Sequence, residues 1–281
     1  MKYLFGLSFL ALVACGQNAD VTQSQSAGLR LYTLDCGQVM INDLSIFTQG
    51  SEFDDRTKLA PASCYLIRHP KGDLMWDTGL PNALNEIEGG VTNEPFHVSL
   101  PVTISTQLEM IDMSIDDVEY LALSHSHFDH AGGAGQFAES TFIVHEKERE
   151  FMFRDEARAD EDGFAAYSAL EDAETIEFTS DYDVFGDGSV MILSMPGHTP
   201  GHTVLKVDLE NEGPVLLVGD LYHFHESREN RYVPKFNTDV EDTLASMDRF
   251  EDLAQKIDAR VVIQHSMEDF KSLPEFPAYL D

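Results

Sequence analysis

The sequence predicts an α/β sandwich, two groups of strands with helices on the outside. Three observations carry this expectation. Runs such as "VEYLALS", "SVMILSM" and "PVLLVGD" are short, apolar and bounded by turn residues, as buried strands are. Helical spacing recurs in "TISTQLEMI" and over the long amphipathic stretch "DVEDTLASMDRFEDLAQKI". Strand groups alternating with helices bury both best when the helices cover the outer faces.

Taken in order, the first third reads as strands at Leu29–Asp35, Ser63–Arg68 and Asp73–Trp76. The helical "TISTQLEMI" follows, then the strand "VEYLALS" and a second strand "TFIVH". The acidic stretch "EKEREFMFRDEARADEDGFAAYSALEDAE" is expected as surface helices. Three strand runs come next, "SVMILSM", "HTVLKVDL" and "PVLLVGD", then the amphipathic helix and the strand "ARVVIQH". The segment "LPNALNEIEGGVTNEPFHVSLP" has no clear period and reads as a loop. No short internal repeat or long low-complexity stretch is visible. With 281 residues, 43% of them hydrophobic, the chain can build one large core or two small ones.

The N-terminus reads as a targeting segment. Lys2 precedes an apolar run from Tyr3 to Val13, too short for a permanent membrane span. It ends in "LVACG", which resembles the lipobox of bacterial lipoprotein signal peptides. Residues 1–14 are then the signal peptide, Cys15 the lipidated residue, 15–28 a small and polar tether, and 29–281 the folded domain. Several acyl chains on Cys15 would anchor the protein stably. Gly16, rather than Asp, by the same resemblance favours the outer membrane; without lipidation the product would be periplasmic or secreted. Cys36 and Cys64 stand in apolar strand runs, where buried free thiols are the expected state, although export permits a disulfide.

Fifty Asp and Glu against 18 Lys and Arg give a formal net charge of -32. That field repels polyanions, so nucleic-acid binding is excluded and highly phosphorylated substrates are disfavoured. An uncharged or apolar small molecule loses nothing.

The chemistry is concentrated in "SHSHFDHAGG", Ser124 to Gly133. An extended segment projects alternate side chains to one face, so His125 and His127 can grip one ion. Asp129 and His130 follow where the chain turns, and Gly132 and Gly133 allow close backbone packing. Further donors belong at later strand ends: His198 in "SMPGHTPGH", Asp220 closing "PVLLVGD" and His265 closing "ARVVIQH".

This ordered set, preceded by "WDTG" at Trp76–Gly79, resembles the motif signature of the metallo-β-lactamase superfamily over nearly all of the mature chain. The resemblance implies an αββα sandwich with a dinuclear metal site at one edge. It implies that His125, His127 and His198 hold one divalent ion, that Asp129, His130 and His265 hold a second, and that Asp220 bridges them. The aspartate of "WDTG", Asp77, would brace the metal loop. Imidazole and carboxylate donors suit zinc, and iron or cobalt would fit the same site. An aspartate at 220, where zinc β-lactamases carry Cys or Ser, points away from penicillin-type substrates. His127 stands where the diiron redox branch carries a glutamate. The doubled "PGHTPGH", "VIQH" and "LYTLDCG" are most similar to N-acyl homoserine lactonases, which open acyl lactones and thereby degrade quorum-sensing signals.

By that resemblance, a tyrosine shortly after the bridging aspartate supports the substrate carbonyl. Here Tyr222 lies one residue nearer than the pattern, so Tyr222 is the expected donor, with His223 as the alternative. Two ions a few ångströms apart lower a bridging water's pKa to about 7 and supply hydroxide for attack on the lactone. Asp129 would pass the proton to the leaving alkoxide. Phe96 is a candidate wall of the substrate pocket. His202 is expected to pack or hydrogen-bond beside the site. His223 and His225 compete with His265 as ligands, and His265 is preferred for its strand-end position. His69, His97 and His145 read as surface or structural residues. Other hydrolases on the same site, such as thioesterases, arylesterases or phosphotriesterases, remain the alternative, with a non-catalytic metal-binding lipoprotein behind them. A glutathione thioesterase calls for basic residues near the C-terminus, where "SMEDFKSLPEFPAYLD" offers only Lys271.

Overall fold

A computed structural model describes residues 28–281. The expected signal peptide, Cys15 and all but the last residue of the tether lie outside them. The described residues form a nine-stranded and a five-stranded sheet. The first contains β1 (Arg30–Ile41), β2 (Lys58–His69), β3 (Gly72–Trp76), β4 (Val91–Asn93), β5 (Phe96–Ser99), β6 (Tyr120–Ala122), β7 (Thr141–His145) and β8 (Thr175–Phe178). Its order is β4-β5-β1-β2-β3-β6-β7-β8, with the C-terminal β14 (Tyr279–Leu280) on β1. The second runs β13-β12-β11-β10-β9, from β9 (Tyr182–Asp183), β10 (Val190–Ser194), β11 (Thr203–Leu209), β12 (Gly213–Leu217) and β13 (Arg260–Val262). Its core is antiparallel, while β12 and β13 pair in parallel.

Alternation along the strands builds the layers. In β3, Leu74 and Trp76 face the second sheet and meet Leu205, Val215 and Leu217, while Met75 faces outward against Leu108 and Phe137. In β12, Val215 and Leu217 point inward and Leu216 outward. Side chains of period two can satisfy both layers only if each sheet is covered on both faces. Helix α1 (Ile104–Glu109) and the short helices α2 (Phe128–Ala131), α3 (Glu146–Met152), α4 (Asp155–Ala159) and α5 (Glu161–Ala165) lie on the side of the first sheet. Helix α7 (Val240–Ile257) covers the second, burying Met247, Phe250 and Ala254. Short α6 (His225–Asn230) and α8 (Met267–Ser272) complete the chain. The result is the αββα sandwich. No helix among the described residues is long and apolar enough to cross a membrane.

Three local expectations need correction. The loop after Leu80 contains the hairpin β4–β5, and β5 extends the first sheet by pairing with the far half of β1. The acidic stretch after His145 breaks into α3, α4 and α5, because Asp160 ends one helix and caps the next by accepting from Gly163 N. Cys36 and Cys64 are joined by a disulfide, Cα–Cα 5.9 Å, rather than free. A register shift between Asp35 and Gln38 bends β1 where Cys36 sits and turns it toward β2.

Candidate metal centre

The loops following β6, β10, β12 and β13 meet at one edge of the sandwich. The apolar strands end there, and the first polar side chain beyond each faces its neighbours rather than water. Ser124 and His125 continue β6; His127 is the N-terminal flank of α2, whose first turn carries Asp129 and His130. Gly197 brings the β10–β11 loop under α7: at φ +130° a Cβ there would lie 2.2 Å from Thr243 N, so only glycine permits the approach that delivers His198.

Seven donor atoms converge as two groups. His125, His127, His198 and Asp220 offer one atom each within 4.8 Å of one another, and so do Asp129, His130 and His265. His198 Nε2 lies 3.1 Å from His125 Nε2 and 3.0 Å from His127 Nδ1. His130 Nε2 and His265 Nε2 are 3.1 Å apart. Asp220 spans the groups. Its Oδ2 is 3.2 Å from His198 Nε2 and 3.5 Å from His125 Nε2, and its Oδ1 is 3.1 Å from His130 Nε2 and 3.0 Å from His265 Nε2. Asp129 Oδ2 is 3.7 Å from His265 Nε2.

The outer nitrogens of these rings decide what the inner ones offer. His265 Nδ1 faces the carbonyl of Pro61 at 2.9 Å, His198 Nδ1 faces Asn237 Oδ1 at 2.9 Å, and His130 Nδ1 faces Asp77 Oδ2 at 2.9 Å. Each of these partners only accepts, so each outer nitrogen carries the proton. Against their burial, Asp220 holds His130 and His265 above the usual histidine range, and once a ring gives up its inner proton, that nitrogen is a lone pair aimed at its neighbours. Burial, together with the neighbouring imidazoles, holds His125 and His127 well below the usual histidine range. Against the cost of its burial, His223, His130 and His265 keep the Asp220 carboxylate ionised. Imidazoles and carboxylates converging in a buried cluster, the rings able to exchange their inner protons for a metal ion, are the donor set of a divalent cation, so the residues fit two ions.

Around them sits a support layer. Asp77 accepts from Ser124 N at 2.6 Å, Ser124 Oγ at 2.8 Å and Gln264 Nε2 at 2.8 Å, as well as from His130. It does so from a left-handed backbone at φ 59°, a conformation that costs a residue with a Cβ. His202 is not among the donor groups. It sets the backbone of Asp220, whose N–H donates to His202 Nε2 at 3.0 Å. His225 turns away to Asp269, His69 pairs with Asp187, His145 caps α3, and His97 meets Thr92 on the hairpin.

A cavity of about 330 Å³ opens over the cluster. Asp129, Asp220, His223 and His265 form its polar floor; Phe47, Phe96, Phe128, Phe224 and Phe236 wall it with Val39 and Ile41. No Lys or Arg is among its lining residues, and Lys271 lies on α8, outside the lining. Phe96 lines the cavity, with its ring 5.7 Å from that of Phe128.

Tyr222 does not reach the cavity. Its ring packs 5.7 Å from Phe250 under α7, and its hydroxyl faces Glu251 of that helix rather than the cavity. His223 faces the other way, with Nε2 3.0 Å from Asp220 Oδ2 and its ring edge-on to Phe47 at 4.9 Å. Adjacent side chains after a strand end point to opposite sides, and the single-residue offset sends the tyrosine into the core. Phe47 and Phe236 were missed at the sequence level, since neither lies near a donor motif.

The chain belongs to the metallo-beta-lactamase superfamily, whose family model matches residues 57–265. Within it, the chain is 30% identical over 272 residues to the N-acyl homoserine lactonase AttM of Azorhizobium caulinodans, covering 90% of this chain and 99% of the relative. It is 32% identical to AttM of Rhizobium radiobacter and 31% to an N-acyl homoserine lactonase of a Bacillus species, with 89% of this chain covered in each case and 99% and 98% of the relatives. A solved N-acyl homoserine lactone hydrolase with N-hexanoyl-L-homoserine bound at its catalytic metal centre superposes with a TM-score of 0.76 at 29% identity, over 89% of this chain and 98% of that one.

Proposed function

We propose that this protein is a metal-dependent hydrolase that opens the lactone ring of N-acyl homoserine lactones. The observation that carries the reading is a cavity with apolar, aromatic walls standing directly on a two-metal donor cluster. A neutral amphiphile with an apolar tail and a small electrophilic head matches both parts. An anionic thioester or phosphorylated substrate would find no Lys or Arg in the lining to bind the charge remote from the reacting group. The lactonase relatives and the product-bound neighbour support the same substrate class.

Two divalent ions in this cluster, zinc by the donor set, would supply a hydroxide at neutral pH and Lewis acidity toward the carbonyl. The chain's own residues do the rest. The aromatic walls hold the acyl tail and exclude water from the floor. His223, not Tyr222, presents a ring nitrogen at the floor, where it can donate to a developing oxyanion. Asp129, partly exposed at the cavity edge, can carry a proton to the leaving ring oxygen. The test is a panel of short- and long-chain acyl homoserine lactones assayed by pH-stat with metal analysis. Ring opening at two ions per chain supports the reading; failure on lactones with rapid cleavage of a thioester or phosphotriester overturns it.

We also infer export with a lipid anchor on Cys15. This rests on the lipobox-like "LVACG", and the Cys36–Cys64 disulfide supports an oxidising compartment. Palmitate labelling lost in Cys15→Ser would establish it; an unlabelled, uncleaved product would remove it.

A further inference from the structure

Glu148, in the first turn of α3, is 1% exposed, yet no Lys or Arg among the described residues pairs with it. Its carboxylate is satisfied wholly by donors from two loops. Oε1 accepts from Ser126 N and Ser126 Oγ, both at 2.8 Å. Oε2 accepts from Thr199 Oγ1 at 2.6 Å and from Gly201 N at 3.1 Å. Burying a carboxylate without a cation is costly, and the cost is tolerable only with such full hydrogen bonding. The geometry matters because of where those donors sit. Ser126 lies between His125 and His127, and Thr199 follows His198, so one carboxylate ties together the backbones bearing all three histidines of the first group. A Cβ at Gly201 would fall 2.2 Å from Glu148 N, which gives the second glycine of "PGHTPGH" its reason: it lets the loop close onto α3.

We propose that Glu148 is a positioning residue for the first metal group, fixing the spacing of His125, His127 and His198. It touches no donor atom and no part of the cavity. The inference rests on the two-metal reading but not on the identity of the substrate, so its test is metal binding.

The experiment titrates metal-free full-length protein with Co2+ against a chromophoric chelator, with the visible spectrum recorded, for wild type, Glu148→Gln and Glu148→Asp. Glutamine turns one acceptor oxygen into a donor facing donors. Outer partners of metal ligands typically govern affinity by about 10–100-fold. Glu148→Gln is therefore expected to weaken one of the two ions by that factor and leave the other within a few-fold, with an altered spectrum for the weakened site; Glu148→Asp should recover part of the loss. Should Glu148→Gln not fold, Ser126→Ala with Thr199→Val, which removes two donors and keeps the charge, must show the same one-site loss. Unchanged affinities, or equal weakening of both ions, in a folded variant would overturn the positioning role while leaving the metal centre intact. A wild-type protein that takes up no Co2+ would overturn the metal reading and the positioning role together.

Discussion

The two halves of the metal centre are held by different means. In the second, Asp77 bonds directly to a ligand ring, His130, and the Pro61 carbonyl to another, His265. In the first, His198 leans on the neutral Asn237, and His125 Nδ1 lies 3.1 Å from Ser124 Oγ, which itself donates to Asp77. Glu148 bonds no ligand ring but the hydroxyls and backbone N–H groups of the loops that carry the rings. Both halves reach the cavity, the first through His127 and the second through Asp129 and His265. A ring bonded to a charged acceptor is both oriented and made more basic, whereas a backbone clamp sets spacing alone. The second half is thus tuned electronically, and the first is tuned mainly geometrically.

Asp220 is the one side chain shared by both halves, so its removal should do the most. Asp220→Ala is expected to lower ring opening beyond the roughly 10–100-fold typical of outer partners, and to weaken both ions together. Full activity with two ions retained, by assay and metal analysis, would remove its spanning role. Asp77→Asn separates the halves. It should weaken one ion by about 10–100-fold and cost about 1–3 kcal/mol of stability in denaturant unfolding, since a buried network loses an acceptor. If the comparison between halves is sound, the ion weakened by Asp77→Asn is the one that Glu148→Gln spares. Loss of the same ion in both variants would break it.

The donor set was legible because a metal site must collect residues at strand ends, and strand ends are visible as apolar runs stopping at His or Asp. "VEYLALS", "PVLLVGD" and "ARVVIQH" all stop where the sheet edge lies. The αββα layering was legible for a related reason, since both faces of each strand carry apolar residues. What was not legible depends on direction rather than on composition. Tyr222 and His223 are equally plausible as text; only the turn after Gly219 decides which faces the floor. The Cys36–Cys64 bond joins neighbouring strands beside a register shift in β1, and neither the pairing nor the bulge leaves a compositional mark. Glu148 was hidden in an acidic stretch whose other carboxylates face water, and Phe236 lies far in sequence from anything it covers.

The next effect tests that directional outcome. His223→Leu should reduce kcat by about a hundredfold, the loss usual for one oxyanion donor. Tyr222→Phe should leave kcat and KM within about twofold, because the hydroxyl it removes lies in the α7 core, facing Glu251 and not the cavity. The reverse pattern, a large loss for Tyr222→Phe and none for His223→Leu, would return the role to the tyrosine.

The smallest effect belongs to the cavity wall, the part of the site farthest from either ion. Phe96 is half-buried on β5, its ring 5.7 Å from that of Phe128, and it is in neither donor group, so truncating it should leave metal content and kcat unchanged. What it removes is apolar contact along the tail, worth about 25 cal/mol per Å² of buried surface. An acyl chain that loses about 40–55 Å² of cover forfeits roughly 1–1.4 kcal/mol, which is about a five- to tenfold rise in KM. A short tail that ends before the β4–β5 hairpin loses nothing. Phe96→Ala should therefore raise KM for a long-chain lactone and spare a short-chain one, and steady-state kinetics on the two substrates separate the outcomes. An equal rise for both would place Phe96 over the lactone head, where the second half of the metal centre lies, and not along the tail.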